Sequence, residues 1–384
     1  MPPPRAGTVA TLGPARGTPS AVTVAPWAAH GPRNTFLLAV VVLLVATPIV
    51  LVAAVSIGAA AISPADVWSS ILGHLVGGGH TPPIDDQIIW QVRTPRVLLA
   101  FVVGAGLAVT GAVLQAVVGN PLADPYVLGV SSGASIAAVA VLTLGGVATT
   151  GLLPTIGVSG AAFAGAVATL VLVIALGRRQ GRLDPHRLLL AGVAIGYLLQ
   201  AGTSFLQLRV GSNQLAAVLF WLLGTVSGAD WQKLRLPTVI VLAATVWLLA
   251  QARQLNALVL GDEAAASLGV SVSRLRAQLL AVCAALTAAV ISVAGGVTFV
   301  GLVAPHCVRL LIGSDHRRLL PVAALLGGVF LVLADLVGRV VARPMEVPLS
   351  IVTAVAGVPF FLLLLRRSGR VSRLSTGAGA GGGS

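Results

Sequence analysis

Nucleotide, metal or thiol chemistry in this chain would have to be built from one lysine, six histidines and two cysteines. Lys233 stands in Trp-Gln-Lys-Leu with no glycine loop before it, so nothing here can cradle a nucleotide phosphate. The histidines lack the paired spacings that hold zinc, and His306, alone after Pro305 in an apolar stretch, reads as a structural residue. Cys283 and Cys307 both lie in apolar runs and read as small core residues, not as a disulfide. Ion-coupled transport marks itself with ionisable groups inside apolar spans. Asp335 is the one clear acid so placed, and Arg339, four residues on, can pair with it along a helix. A secondary transporter is therefore the alternative class, and it lacks coupling acids at mid-span.

The elements that must position these residues are apolar. Of 384 residues, 57% are apolar and 9% charged, with mean hydropathy +0.98. Soluble domains carry about 25% charged residues, so this chain has too little polar surface to cover a water-soluble core. It is expected to be an all-α polytopic membrane protein, because its apolar residues run in blocks and do not alternate as in a barrel. A crossing helix needs roughly 20 apolar residues. Ten such helices are predicted near 36–58, 97–118, 126–146, 154–177, 188–208, 236–252, 277–294, 298–312, 320–341 and 350–365. Ser63-Pro64-Ala65-Asp66 predicts a capped short helix outside the membrane, and 211–231 holds another short one. Residues 1–34, rich in Pro, Ala, Gly and Thr, predict a disordered tail. Residues 35–367 form the transmembrane domain, and 368–384 a flexible Gly/Ala/Ser tail, native or appended. Ala59-Ala60-Ala61 after the first apolar run suggests a signal cleavage site, but the run is too long for a signal core of about 7–15 residues.

The formal net charge is +13, and the basic residues gather in short segments beside the apolar runs, which explains the excess without nucleic acid. With the N-terminus cytoplasmic, 17 Lys and Arg residues fall inside and 7 outside, so both termini are expected in the cytoplasm. The outside seven are Arg93, Arg96, Arg209, Lys233, Arg235, Arg339 and Arg343. They sit where the rule disfavours them.

An ordered series of motifs runs through the chain. It includes Arg93-Thr-Pro-Arg96, Gly119-Asn-Pro-Leu-Ala-Asp-Pro-Tyr, Leu260-Gly-Asp-Glu-Ala264 with Ser267-Leu-Gly-Val270, Phe299-Val-Gly-Leu-Val-Ala-Pro-His306, Ala334-Asp335 and Glu346-Val-Pro348. From about Phe36 to Arg367 the series resembles the FecCD-type permease family, membrane subunits of ABC importers for iron–siderophores, haem and cobalamin. The resemblance implies a type II ABC importer permease fold in the bacterial cytoplasmic membrane. It implies a homodimer or close heterodimer, a cytoplasmic ABC ATPase dimer that binds the ATP and Mg, and an extracytoplasmic substrate-binding protein. No cofactor would bind this chain, and no covalent reaction would occur on it. A ferric siderophore is the expected cargo, then haem or cobalamin.

The resemblance also implies site residues. Arg93, Arg96 and Arg339 would bind acidic residues of the binding protein; their alternative is snorkelling to headgroups. Gly261, Asp262, Glu263, Ala264, Leu268, Gly269 and Val270 would couple to the ATPase. The residues themselves read there as a short helix stopped by glycine, which an ordinary solvated loop would also show. Asn120 and Leu122 would form a cytoplasmic gate, with a second segment at Pro185 and His186, where relatives commonly have small polar residues. The GxxxG spacings Gly129–Gly133 and Gly192–Gly196 are read as helix packing.

Overall fold

A computed structural model of the protein describes residues 33–58, 62–77, 81–144, 152–179, 182–183 and 185–377. Residues 1–32 of the expected N-terminal tail and the last seven residues lie outside the described residues, while Arg33 and Asn34, expected in the tail, open α1. The chain folds as α1 (Arg33–Ser56), α2 (Pro64–Val76), α3 (Pro83–Gln87), α4 (Thr94–Val118), α5 (Val130–Leu144), α6 (Leu152–Gly177) and α7 (Pro185–Gln207). There follow α8 (Ser212–Leu222), α9 (Trp231–Ala250), α10 (Ala252–Val259), α11 (Asp262–Ser267), α12 (Val272–Ala294), α13 (Val300–Ile312), α14 (His316–Val340) and α15 (Leu349–Gly377). The expected domain boundary at 367 falls within α15. Strands β1 (Arg178–Arg179) and β2 (Arg182–Leu183) form a minimal antiparallel hairpin that the apolar pattern did not announce.

An apolar helix stands at each of the ten expected positions, but the count of ten full-length spans needs correction. Among the described residues seven helices are long and apolar enough to cross a membrane. The other three, Val130–Thr143, Val300–Ile312 and Leu349–Leu363, are shorter. At 1.5 Å per residue Val300–Ile312 covers less than the roughly 30 Å of hydrocarbon, whereas Leu349–Leu363 is only the first part of α15, which runs on to Gly377.

Helix α4 is the axis of the fold. It is buried along nearly its whole length and packs against α14, α12, α13 and α9. Small residues make this possible: a Cβ on Gly104 would collide with the Gly327 carbonyl of α14, and one on Gly111 with the Gly301 carbonyl of α13. The two GxxxG segments do meet, Gly129 lying against the Gly192 backbone. By contrast α1 exposes Leu37, Leu38, Val41 and Ile49, a face suited to lipid.

Irregular backbone inside the bundle is satisfied by neighbours, as hydrocarbon demands. Between α12 and α13, the Gly296 carbonyl accepts from Ser350 Oγ (2.7 Å) and the Val297 carbonyl from the Tyr126 hydroxyl (2.7 Å). Thr225 N–H donates to the Ala294 carbonyl (2.8 Å). Outside the long helices, Ser63 caps α2 as expected: it accepts from Asp66 N–H (3.1 Å) while its hydroxyl donates to the Asp66 carboxylate (2.7 Å).

Candidate functional site

Functional side chains gather at two opposite ends of the bundle. At one end α1 finishes, α4 begins and α14 finishes. A helix ending here leaves carbonyls without intrahelical partners. Three arginines take up five consecutive ones. Arg339 donates to Ala54 (3.1 Å) and Ile57 (3.2 Å), Arg93 to Val55 (2.8 Å) and Ser56 (2.9 Å), and Arg343 to Gly58 (3.1 Å). Cations also suit the negative end of the helix dipole. Arg93 is only 7% exposed, so snorkelling does not describe it.

Arg96, in the first turn of α4, forks between two carboxylates: Nη2 to Asp335 (2.8 Å), and Nη1 and Nη2 to Glu346 (2.7 and 2.9 Å). The Asp335–Arg339 pair expected along α14 is present at 3.0 Å. Glu346 is the member that the sequence motif contained but did not explain. Its hydrogen bonds from Arg96 hold its carboxyl below the usual range, outweighing partial burial. Four guanidiniums thus gather with Asp335 and Glu346 at this end, and Asp85 lies within electrostatic reach of Arg93.

At the other end, α10 and α11 turn sharply through Gly261. Helix α11 stops in a Schellman motif: Gly269 N–H donates to Ala266 O (2.9 Å) and Val270 N–H to Ala265 O (3.0 Å). Gly269 has φ +81°, a conformation that costs other residues roughly 1–2 kcal/mol. Ala265 anchors this short helix in the core and Ala264 is half-buried, while Leu268 projects 65% exposed beside Glu263. Asp262 is not a free helix-start acid, because Arg276 of α12 grips both its oxygens at 2.8 Å.

The same end holds the hinge of α4. Gly119 closes that helix in the left-handed region, and Asn120 Oδ1 accepts from Leu122 N–H (2.9 Å) in an Asx turn, both side chains facing out. Gly119, Pro121, Gly261, Asp262, Arg276, Arg309 and His316 are among the residues that line a cavity of about 250 Å³. Of the expected coupling residues Gly261 and Asp262 line this cavity; the expected gate residues Asn120 and Leu122 do not, although their neighbours Gly119 and Pro121 do. Pro185 and His186 open α7, and their side chains lie outside the described residues. Arg309 was not singled out from the sequence; its guanidinium donates to Gln115 Oε1 and the Ala112 carbonyl of α4. Asn256 of α10 donates to Asp315 (2.7 Å) and accepts from His316 N–H (2.9 Å), fastening α10 to the start of α14. Burial pushes the Asp315 carboxyl up, but the bonds from Asn256 and Arg317 N–H prevail and hold it below the usual range. Among the described residues no three His, Cys, Asp or Glu side chains gather as a metal site. Lys233 bonds the Gly228 carbonyl (2.6 Å).

A model of the FecCD transport family matches residues 43–367. The chain belongs to that family. It is 46% identical over 285 residues to the cobalamin import system permease protein BtuC of Halobacterium salinarum, covering 74% of this chain and 75% of that protein. It is 38% identical over 336 residues to the Fe(3+)-citrate import system permease protein YfmE of Bacillus subtilis, covering 87% and 96%. A solved inward-facing metal-chelate type ABC transporter superposes with TM-score 0.74 at 30% identity, over 88% of this chain and all of that one. This FecCD-family chain is accordingly a multi-pass membrane permease of an ABC importer, with the type II importer fold and no ATPase site of its own.

Proposed function

We propose that this permease carries a metal chelate into the cytoplasm, with energy supplied by ATP and Mg bound to a partner ATPase dimer. The similarity to cobalamin and Fe(3+)-citrate permeases supports a ferric chelate such as a siderophore, or haem or cobalamin, as cargo. Helix α11 would seat in the ATPase, with Gly261 to Ala264 and Leu268 to Val270 as the contact. The arginine end would receive an extracytoplasmic binding protein through Arg93, Arg96 and Arg339, and a second copy or close homologue would complete the pathway. All ten apolar helices would then cross or enter the cytoplasmic membrane, the short ones as partial spans, with both termini inside. Asn120, Leu122, Pro185 and His186 would gate the inner mouth.

The observation that carries this reading is the shared cavity between α11 and the hinge of α4. Gly261 and Asp262 at the start of α11 share this cavity with Gly119 and Pro121, so a partner that grips α11 differently in two states would change the space beside the gate segment. Docking draws on an end already neutral in part: acids of the binding protein must compete with Asp335 and Glu346 for Arg96. An ion-coupled secondary transporter finds less support, since Asp335 is held by both Arg96 and Arg339.

Proteoliposomes test the proposal. The permease with ATPase, ATP and loaded binding protein should accumulate chelate, and the permease alone should not under any ion gradient. Accumulation by the lone permease under a proton gradient would establish the secondary transporter.

A further inference from the structure

Of the seven basic residues expected outside, six have partners. Arg93, Arg96, Arg339 and Arg343 belong to the end cluster, Lys233 bonds the Gly228 carbonyl, and Arg209 lies over the Phe205 ring at 5.2 Å. Arg235 is different. It is exposed, and among the described residues no hydrogen bond, ion pair or ring contact engages its side chain. It lines an open groove of about 440 Å³ with Trp90, Trp231, Leu234, Thr238 and Val239, where α9 begins beside the residues that lead into α4.

One wall of the groove is fixed. Trp231 Nε1 donates to the Trp90 carbonyl (2.9 Å), the two ring centroids lie 4.8 Å apart, and His74 stacks on Trp90 at 4.2 Å. Away from that wall, α9 is uncovered. Val239, Leu242 and Val246 are 64%, 61% and 67% exposed. They follow Arg235 at helical spacing, so one apolar stripe runs along α9 from the arginine. At 1.5 Å per residue, Arg235 to Val246 rises about 16 Å, the depth of one leaflet in a hydrocarbon core of roughly 30 Å.

We infer that this groove holds one anionic phospholipid, its phosphate accepting from the Arg235 guanidinium and one acyl chain lying along Val239, Leu242 and Val246. Charge selects the headgroup: the guanidinium is open to the groove, has no acid of its own, and suits phosphate geometry. Length selects the tail, because the uncovered stripe is as long as one leaflet is deep. Trp90 and Trp231, of the residue type favoured at the membrane interface, stand beside the arginine at headgroup level. A net-negative lipid also compensates a cation at the end where the topology rule disfavours it. The site lies on the bilayer face and is independent of cargo and ATPase.

The test is native mass spectrometry of the full chain, purified in mild detergent and delipidated. Dioleoyl phosphatidylglycerol, dioleoyl phosphatidylcholine or inorganic phosphate is then added separately. Wild-type protein should bind one phosphatidylglycerol in preference to phosphatidylcholine, and no inorganic phosphate. Arg235→Gln should weaken phosphatidylglycerol binding about ten-fold, the loss expected for a charge-assisted hydrogen bond, and Arg235→Lys should restore part of it. Arg209→Gln removes another arginine expected outside and should change nothing. Val239→Trp should fill the groove and lower retention with Arg235 intact. All these positions are exposed, so the delipidated variants should melt with wild type. Equal binding of the two phospholipids, full retention in Arg235→Gln, an equal loss in Arg209→Gln, or binding of inorganic phosphate in place of lipid would overturn the inference. With neither cargo nor ATPase present, any of these results leaves the import reading intact.

Discussion

Replacing Asp335 by Asn should destabilise the permease far more than replacing Glu346 by Gln, although both carboxylates bind Arg96. Asp335 is 3% exposed and serves two guanidiniums, Arg96 at 2.8 Å and Arg339 at 3.0 Å. Its loss leaves Arg339 with carbonyl partners only and Arg96 with a single acid. Breaking a buried ion pair from one side costs about 3–5 kcal/mol, since the remaining charge stays desolvated. Glu346 has a side chain 38% exposed, where solvent screens the pair and water can replace it, so about 1 kcal/mol or less is expected. Thermal unfolding of both variants in the same detergent reads the difference. A double variant, Asp335→Asn with Arg339→Met, should lose less than the sum of its parts, because the orphaned charge has been removed with its partner. Equal melting shifts for Asp335→Asn and Glu346→Gln, or strict additivity in the double variant, would refute the view that Asp335 is the buried centre of this cluster.

Other outcomes follow from the same geometry. Gly269→Val should lower substrate-stimulated ATPase activity of the assembled importer while nucleotide binding by the ATPase is retained, because φ +81° costs a β-branched residue roughly 1–2 kcal/mol; undiminished stimulation would move the coupling contact elsewhere. Arg343→Glu should slow binding-protein association at low salt and less so at high salt, since this exposed arginine is held only by carbonyls; an unchanged rate at low salt would exclude it from the docking field. Glu346 and Asp315 both have carboxyls held below their ordinary range, so the stability they confer is fully present above that range and is lost as pH falls through their depressed values. Melting temperature should therefore drop below about pH 4, and Glu346→Gln should blunt that drop.

The sequence located all ten apolar helices because each is a block of apolar residues flanked by charge or glycine. It overstated the number of full-length spans, since a block of apolar residues does not distinguish a short apolar helix such as Val300–Ile312 from one long enough to cross. Val300–Ile312 begins after Phe299, which adopts φ +69°, and no composition rule anticipates a left-handed aromatic there. The pair Asp335–Arg339 was legible because its partners are one helical turn apart. The forks of Arg96 to Glu346 and of Arg276 to Asp262 were not, being separated by 250 and 14 positions and joined only by tertiary structure. Arg309 was passed over for a similar reason: its partner is the neutral Gln115, and charge counting cannot find a cation that is satisfied by amides.

The arginines of the end cluster were expected to meet a docking partner, and their inward geometry changes what the proposed docking would require. Reversing Arg96 would set three acids together in a half-buried site, so such a variant reports on folding before it reports on docking. The helices that carry the cluster also reach the opposite end: α4 bears Arg96 and then Gly119, while α14 bears His316 and then Asp335 and Arg339. Their backbones touch midway at Gly104 and Gly327, with no side chain between them to absorb sliding. Close-packed interiors transmit displacement and do not deform smoothly. A pull on Arg96 by an acidic partner therefore acts on a pair of helices whose other ends line the cavity facing α11. The buried carboxylate of Asp335 joins the pair at one end, Gly104–Gly327 joins it at the middle, and Arg309 on Gln115 ties α13 to it near the hinge. Under the proposed function, signals between a binding protein at one end and an ATPase at the other would need no relay of loops, because α4 and α14 span the distance.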